Sequence, residues 1–172
     1  DETACVVGLG TLGQGVARRA AGMDMTVVGV RRKPTRVPHV RTVYTPNRLH
    51  DAIEAAKFVV LAVPLTRETE GMVGPEAFDV MRDDGYLINV ARGPVVDEEA
   101  LVEALQDGTI AGAGLDVFET EPLPEESPLW DIDEVIISPH VAALGRGFYR
   151  GVETLVRENV RLLQEGSEPV NK

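Results

Sequence analysis

The sequence predicts an α/β fold, a doubly wound parallel sheet folded as a single domain. Three observations lead there. Short β-branched apolar runs alternate with amphipathic helical stretches, the first run ends in a glycine-rich turn that opens a helix, and 172 residues suffice for one core. TACVVG at 3–8 is a buried strand closed by glycine, 12–21 has helical spacing, and MTVVGV at 25–30 is a second buried strand. Thr45 as N-cap and Pro46 in the first turn predict a helix over 47–56. FVVLAV at 58–63 is a third strand, and a short helix near 75–81 leads to YLINV at 86–90. DEEALVEALQ at 97–106 puts acids in its first turn and apolar side chains on one face, as the helix dipole and amphipathicity require. Strands at 111–118 and 135–138 flank an acidic, Pro-rich stretch at 119–128. The last helix is expected over 148–164, at most 146–165, with Val152, Leu155, Val156, Val160 and Leu163 on one stripe.

Composition narrows the function classes. Aromatics are only 5% of the chain, so the core must be mostly Val, Ala, Leu and Ile, and 17 Gly with 11 Pro exclude collagen-like and coiled-coil architectures. No apolar run approaches the roughly 18 residues needed to span a bilayer, and no basic-then-apolar leader opens the sequence. The lone Cys5 cannot form an internal disulfide, so a reducing, cytoplasmic setting is expected, without membrane contact. No metal site is expected either. The formal charge is −11, but residues 1–50 carry eight Lys or Arg against three acids, whereas 51–172 carry nine against twenty-five. That balance opposes a nucleic-acid-binding surface and leaves one basic island, Arg31, Arg32, Lys33, Arg36 and Arg41, to be explained. Acid excess with fourteen Arg and three Lys suits either a halophilic protein or an ordinary acidic cytosolic one.

Gly8-Leu9-Gly10-Thr11-Leu12-Gly13 is a G-x-G-x-x-G motif between a strand and a helix, the context in which it binds dinucleotides. Gly8 allows the tight turn, Gly10 lets the backbone approach a pyrophosphate, and Gly13 permits close helix–strand packing. The amides that begin the helix, at Thr11 and Leu12, then face phosphate. About 20 residues beyond the glycines, NAD-binding chains carry an acid for the adenosine ribose. Here the second strand ends in Val30-Arg31-Arg32-Lys33, with no acid. Guanidinium groups suit a 2′-phosphate, so NADP is expected in preference to NAD, with Arg31 and Arg32 as the selecting residues.

Three more strand ends carry polar chemistry: Arg92 after 86–90, the acids around Asp116–Glu121 after 111–118, and His140 after 135–138. Strand ends are where α/β sheets place ligands, and a histidine with a carboxylate partner can serve as general acid or base. Five segments then resemble, in order and spacing, the nicotinamide-binding domain of D-isomer-specific 2-hydroxyacid dehydrogenases: GLGTLGQGV at 8–16, VPLTRET at 63–69, LINVARGPVVD at 87–97, AGLDVFETEPLP at 113–124 and VIISPH at 135–140. The resemblance implies that Arg92 binds the carboxylate of a 2-oxo acid and polarises its carbonyl. His140 would donate the proton beside the coenzyme, and Glu121 would orient it and keep it protonated. Asp116 would bind the nicotinamide carboxamide, while Val63, Pro64, Thr69 and Val90 would line the coenzyme cleft.

The chain departs from that family in three places. Arg31 and Arg32 replace the ribose acid, as in NADP-preferring glyoxylate and hydroxypyruvate reductases. The stretch VAALGRG at 141–147 stands where many members have glycine and small polar residues, which bears on substrate choice. The chain also opens at the first strand of the fold, where family members have a preceding substrate domain. An excised coenzyme domain is therefore expected, inactive alone, whose last helix packs on that substrate domain. Family members commonly dimerise, so a homodimer acting on a small 2-oxo or 2-hydroxy acid is expected. The alternative is a non-catalytic NAD(P)-sensing, co-repressor-like module; the joint presence of Arg92, Glu121 and His140 favours the enzyme. A formate dehydrogenase would carry glutamine in place of the glutamate.

Overall fold

In a computed structural model, described at residues 2–145 and 147–170, the chain forms two compact units, Asp1–Pro139 and His140–Lys172. The first unit is built on seven parallel strands: β1 Thr3–Val7, β2 Thr26–Val30, β3 Thr42–Tyr44, β4 Phe58–Leu61, β5 Tyr86–Asn89, β6 Gly112–Leu115 and β7 Val135–Ile137. Their order is β3-β2-β1-β4-β5-β6-β7, so the winding reverses beside β1. The helices between them are α1 Thr11–Ala21, α2 Leu49–Ile53, α3 Pro75–Val80 and α4 Glu98–Gln106.

Alternation along β1 divides the core. Ala4 and Val6 pack with Ala17 and Ala20 of α1, whereas Cys5 and Val7 pack with Ile53 of α2, Phe78 of α3 and Leu101 of α4. Helices thus cover both faces, as the buried apolar strands require. On the α1 face the cover thins toward β7, where Ile136 is 76% exposed.

The register aligns the strand ends. Tyr44, Val30, Val7, Leu61, Asn89, Leu115 and Ile137 pair in one continuous row across the sheet. Gly8, Arg31, Val90, Asp116 and Ser138 are each the next residue after that row. The opposite rim carries an ion cluster: Lys57 lies 3.5 Å from both Glu2 and Asp84, and Arg82 bonds Asp84 at 2.6 Å. Glu2 above all raises the Lys57 ammonium's pKa, and the Arg82 hydrogen bond lowers that of the Asp84 carboxyl.

Several boundaries differ from expectation. The helix expected over 47–56 is a 3₁₀ turn, Pro46–Arg48, followed by the short α2. The Thr45 hydroxyl bonds the Asn47 side chain at 2.6 Å and caps no backbone amide, and Arg48 (φ −117°, ψ 29°) breaks the helical path. β3 was not anticipated. Its three residues show too little pattern, and main-chain bonds to β2 define it, Arg41 N–H to Val27 O and Arg31 N–H to Tyr44 O. β6 stops at Leu115 because Asp116, Val117 and Phe118, though buried, leave the ladder as a loop.

The second unit is helical. α5 spans Phe148–Gln164, and the wider limit at 146 falls on a residue outside those described. Two bonds between the Asn159 side chain and the Val170 main chain hold the following segment. Val152, Val156, Val160 and Leu163 of the stripe are exposed. Among the described residues no helix is long and apolar enough to cross a membrane.

Candidate functional site

The turn after β1 explains its glycines one at a time. Gly8 has φ +100°, and a side-chain carbon there would sit 2.5 Å from the Ala62 carbonyl oxygen. At Gly13 that carbon would lie 1.8 Å from the Gly8 oxygen, so α1 could not start where it does. At Gly10 it would meet no protein atom within 4 Å. Packing therefore does not demand glycine at 10; its bare backbone keeps a hollow open at the start of α1, the cradle a phosphate would fill. No side chain caps α1, and no acid occupies its first turn, so its N-terminus presents main-chain donors to an anion.

That hollow belongs to a cleft of about 720 Å³ between the ends of β1, β2 and β4. Gly8, Gly10, Arg31, Arg32, Val63, Pro64 and Thr69, all expected at a coenzyme site, line it together with Lys33. Thr11, Leu12 and Gly13 form the first turn of α1 beside it. Among the described residues, none of Arg31, Arg32 and Lys33 makes an ion pair, so no carboxylate is bonded to any of the three cations in the cleft. The Arg31 main-chain amide donates to the Tyr44 carbonyl at 3.0 Å. The Thr69 hydroxyl donates to the Pro64 carbonyl at 2.7 Å and accepts the Thr66 amide at 2.8 Å, which closes the 64–69 loop into one wall. Glu68, not anticipated, also lines the cleft, and the Thr66 hydroxyl holds it at 3.0 Å.

The remaining residues sit further along the same row of strand ends. Val90 follows β5 directly, and Arg92 is exposed two residues on, its Nη1 donating to the Ala91 carbonyl at 2.6 Å. Asp116, 5% exposed, accepts a hydrogen bond from the Ser138 hydroxyl at 2.5 Å, which ties the ends of β6 and β7. The Glu121 carboxylate accepts the Phe118 amide at 3.1 Å, whereas Glu119 is tied to the first turn of α4 by reciprocal bonds with Glu98. His140 opens the second unit with φ +55°, unusual for a residue other than glycine, and its ring is exposed. The cleft thus gathers the expected adenosine and phosphate groups; Val90, Asp116, Arg92 and Glu121 occupy other strand ends of the first unit, and His140 lies in the second.

Besides Glu68, two polar contributors are not foreseen from the sequence. Ser138 is one; the other is Asn89, whose buried amide bonds the backbone on both sides of Arg92's peptide. Both lie inside the motif segments, where a strand-end polar residue gives no sign of what it bonds.

Comparison with known proteins shows the family. Residues 1–142 match the family described as D-isomer specific 2-hydroxyacid dehydrogenase, NAD binding domain. A glyoxylate reductase of Thermococcus gammatolerans is 42% identical over 176 residues, covering 99% of this chain and 52% of its own. A glyoxylate reductase of Pyrococcus horikoshii is 41% identical over 170 residues, 98% of this chain and 50% of its own. The chain therefore spans about half the length of the curated relatives it matches. Among solved structures, a D-isomer specific 2-hydroxyacid dehydrogenase of Xanthobacter autotrophicus Py2 in complex with NADPH superimposes with TM-score 0.92 at 38% identity, covering 99% of this chain and 69% of that one. An NADPH-dependent glyoxylate/hydroxypyruvate reductase of Sinorhizobium meliloti, in complex with NADP, gives TM-score 0.90 at 31% identity over 98% of this chain and 54% of that one.

Proposed function

This chain belongs to the D-isomer-specific 2-hydroxyacid dehydrogenases, in the part that binds their coenzyme, and on that premise we propose that it is the NADP-binding domain of a 2-oxo-acid reductase of the glyoxylate and hydroxypyruvate class. One observation carries the coenzyme preference: Arg31, Arg32 and Lys33, none of them ion-paired among the described residues, line the same cleft as the bare backbone of Gly10. A guanidinium can grip a 2′-phosphate through two parallel hydrogen bonds and has no comparable match to a ribose diol. The similar Xanthobacter and Sinorhizobium proteins, described in complex with NADPH and NADP, support the same preference.

The coenzyme supplies the hydride when bound. Arg92 takes the substrate carboxylate and offsets the negative charge that grows on the carbonyl oxygen. His140 delivers a proton to that oxygen, so that the 2-oxo acid leaves as the 2-hydroxy acid, and Glu121 orients the imidazole. Asp116, held by Ser138, takes the nicotinamide carboxamide, with Val90 beside it. A substrate domain partners this one and receives the apolar stripe of α5. The reading also carries a cytoplasmic, homodimeric protein, which sedimentation would check.

The test is a side-by-side titration of this chain with NADPH and NADH, wild type and Arg31→Asp. NADPH should bind tighter by about tenfold or more, equivalent to roughly 1.4 kcal/mol, and the substitution should erase most of that margin while sparing NADH. Equal affinity for both coenzymes, or equal loss, overturns the 2′-phosphate role. In the full-length protein, failure to oxidise NADPH with glyoxylate, hydroxypyruvate or pyruvate would favour the sensing module instead.

A further inference from the structure

We propose that Asn89 is a positioning residue for Arg92, an inference that rests on the substrate-binding role given to Arg92 above. Asn89 is the last residue of β5 and 1% exposed. Its register neighbours on either side, Leu61 and Leu115, are buried leucines. The sheet alone would be served by a third leucine here, so the amide needs its own explanation.

Both ends of that amide are used on the segment that carries the arginine. Oδ1 accepts the Ala91 amide at 3.0 Å, and Nδ2 donates to the Arg92 carbonyl at 3.1 Å. The two bonds need an acceptor and a donor on one side chain, which the amide presents at the right separation; a carboxylate supplies acceptors alone. The Asn89 main-chain oxygen meanwhile accepts the Asp116 amide at 3.1 Å, so the same residue ties the end of β6. Downstream, Gly93 lies so close to Phe118 that a side-chain carbon would fall 1.9 Å from its carbonyl. Arg92 is therefore rooted between two fixed points, the amide of Asn89 before it and the Gly93–Phe118 contact after it. Arg92 is itself exposed, while the main chain on either side of it is held at those two points.

The experiment uses the full-length protein with glyoxylate as substrate. Asn89→Asp keeps the acceptor for Ala91 and loses the donor to Arg92; Asn89→Ser shortens the reach to both. Each variant is checked for folding by circular dichroism, then for NADPH affinity and for kcat and KM. A misplaced guanidinium should lower kcat/KM by about 100-fold, the order expected for a displacement near 1 Å, with NADPH affinity within about twofold of wild type. A residue that merely supports the sheet would lower thermal stability and leave the kinetics of the folded protein untouched. Unchanged kcat/KM in a folded variant, parallel loss of coenzyme affinity, or failure of both variants to fold each overturns the proposal. Arg92→Ala is the separating control: if it keeps turnover, the role given to Arg92 is wrong, whereas its loss alongside normal Asn89 variants sinks the positioning role alone.

Discussion

Gly10 and Gly13 stand three positions apart and are glycine for opposite reasons. At 13 a methyl group would collide with the Gly8 carbonyl, and at 10 it would stand in open space. The motif was legible because both constraints act on single residues and leave a fixed spacing. The basic strand end was legible too, because an acid was missing where the pattern wants one. Asn89 was not, since its meaning lies in two bonds to a backbone whose course the sequence does not display. Cys5 shows what burial alone does to a side chain. It is fully buried in β1, and loss of hydration pushes its thiol from the ordinary 9.0 up to about 12. The unfolded thiol ionises first, so this group's stabilising effect is complete below pH 9 and is lost as pH rises toward 12. The slope approaches about 1.4 kcal/mol per pH unit inside that window. Urea denaturation at pH 8 and pH 10 should show a larger fall for wild type than for Cys5→Ala.

Elements were read well where they carry their own signals. α4 has its Asp97 cap, accepting the Ala100 amide at 3.1 Å, two acids in the first turn and four buried apolar residues on one face. Asp97→Ala should therefore cost about 1 kcal/mol, read as a lower urea midpoint with an unchanged slope. α2 lacked such signals: Thr45 and Pro46 imitate a helix start, but the Thr45 hydroxyl is taken by Asn47. β3 became a strand through its partner β2 and through no periodicity of its own. The end of β6 was overextended because burial continues through Phe118 after the ladder has stopped, and apolar character reports burial before it reports pairing.

Across the whole molecule, alternation of strands and helices made the parallel sheet legible, while the row of strand ends emerges only from the register. The charge split acquires a location: the basic side chains Arg31, Arg32 and Lys33 line the cleft of a protein whose formal net charge is −11. An anionic coenzyme is repelled by the molecule at large and attracted at this one mouth. Because salt shortens the reach of both fields, with a Debye length near 10 Å at 0.1 M, the margin of NADPH over NADH should narrow as ionic strength rises. Titrations at low and high NaCl would check it, and a margin independent of salt would contradict the charge-based preference. The two rims of the sheet, finally, divide the labour. The Lys57, Glu2, Asp84 and Arg82 cluster braces one rim, and the cleft-lining side chains hang from the other, with Arg31 tethered through an amide that any non-proline residue possesses. On the proposed reading, exchanging the residue at position 31 would change the preferred nucleotide while the main-chain tether between the two strands stays as it is.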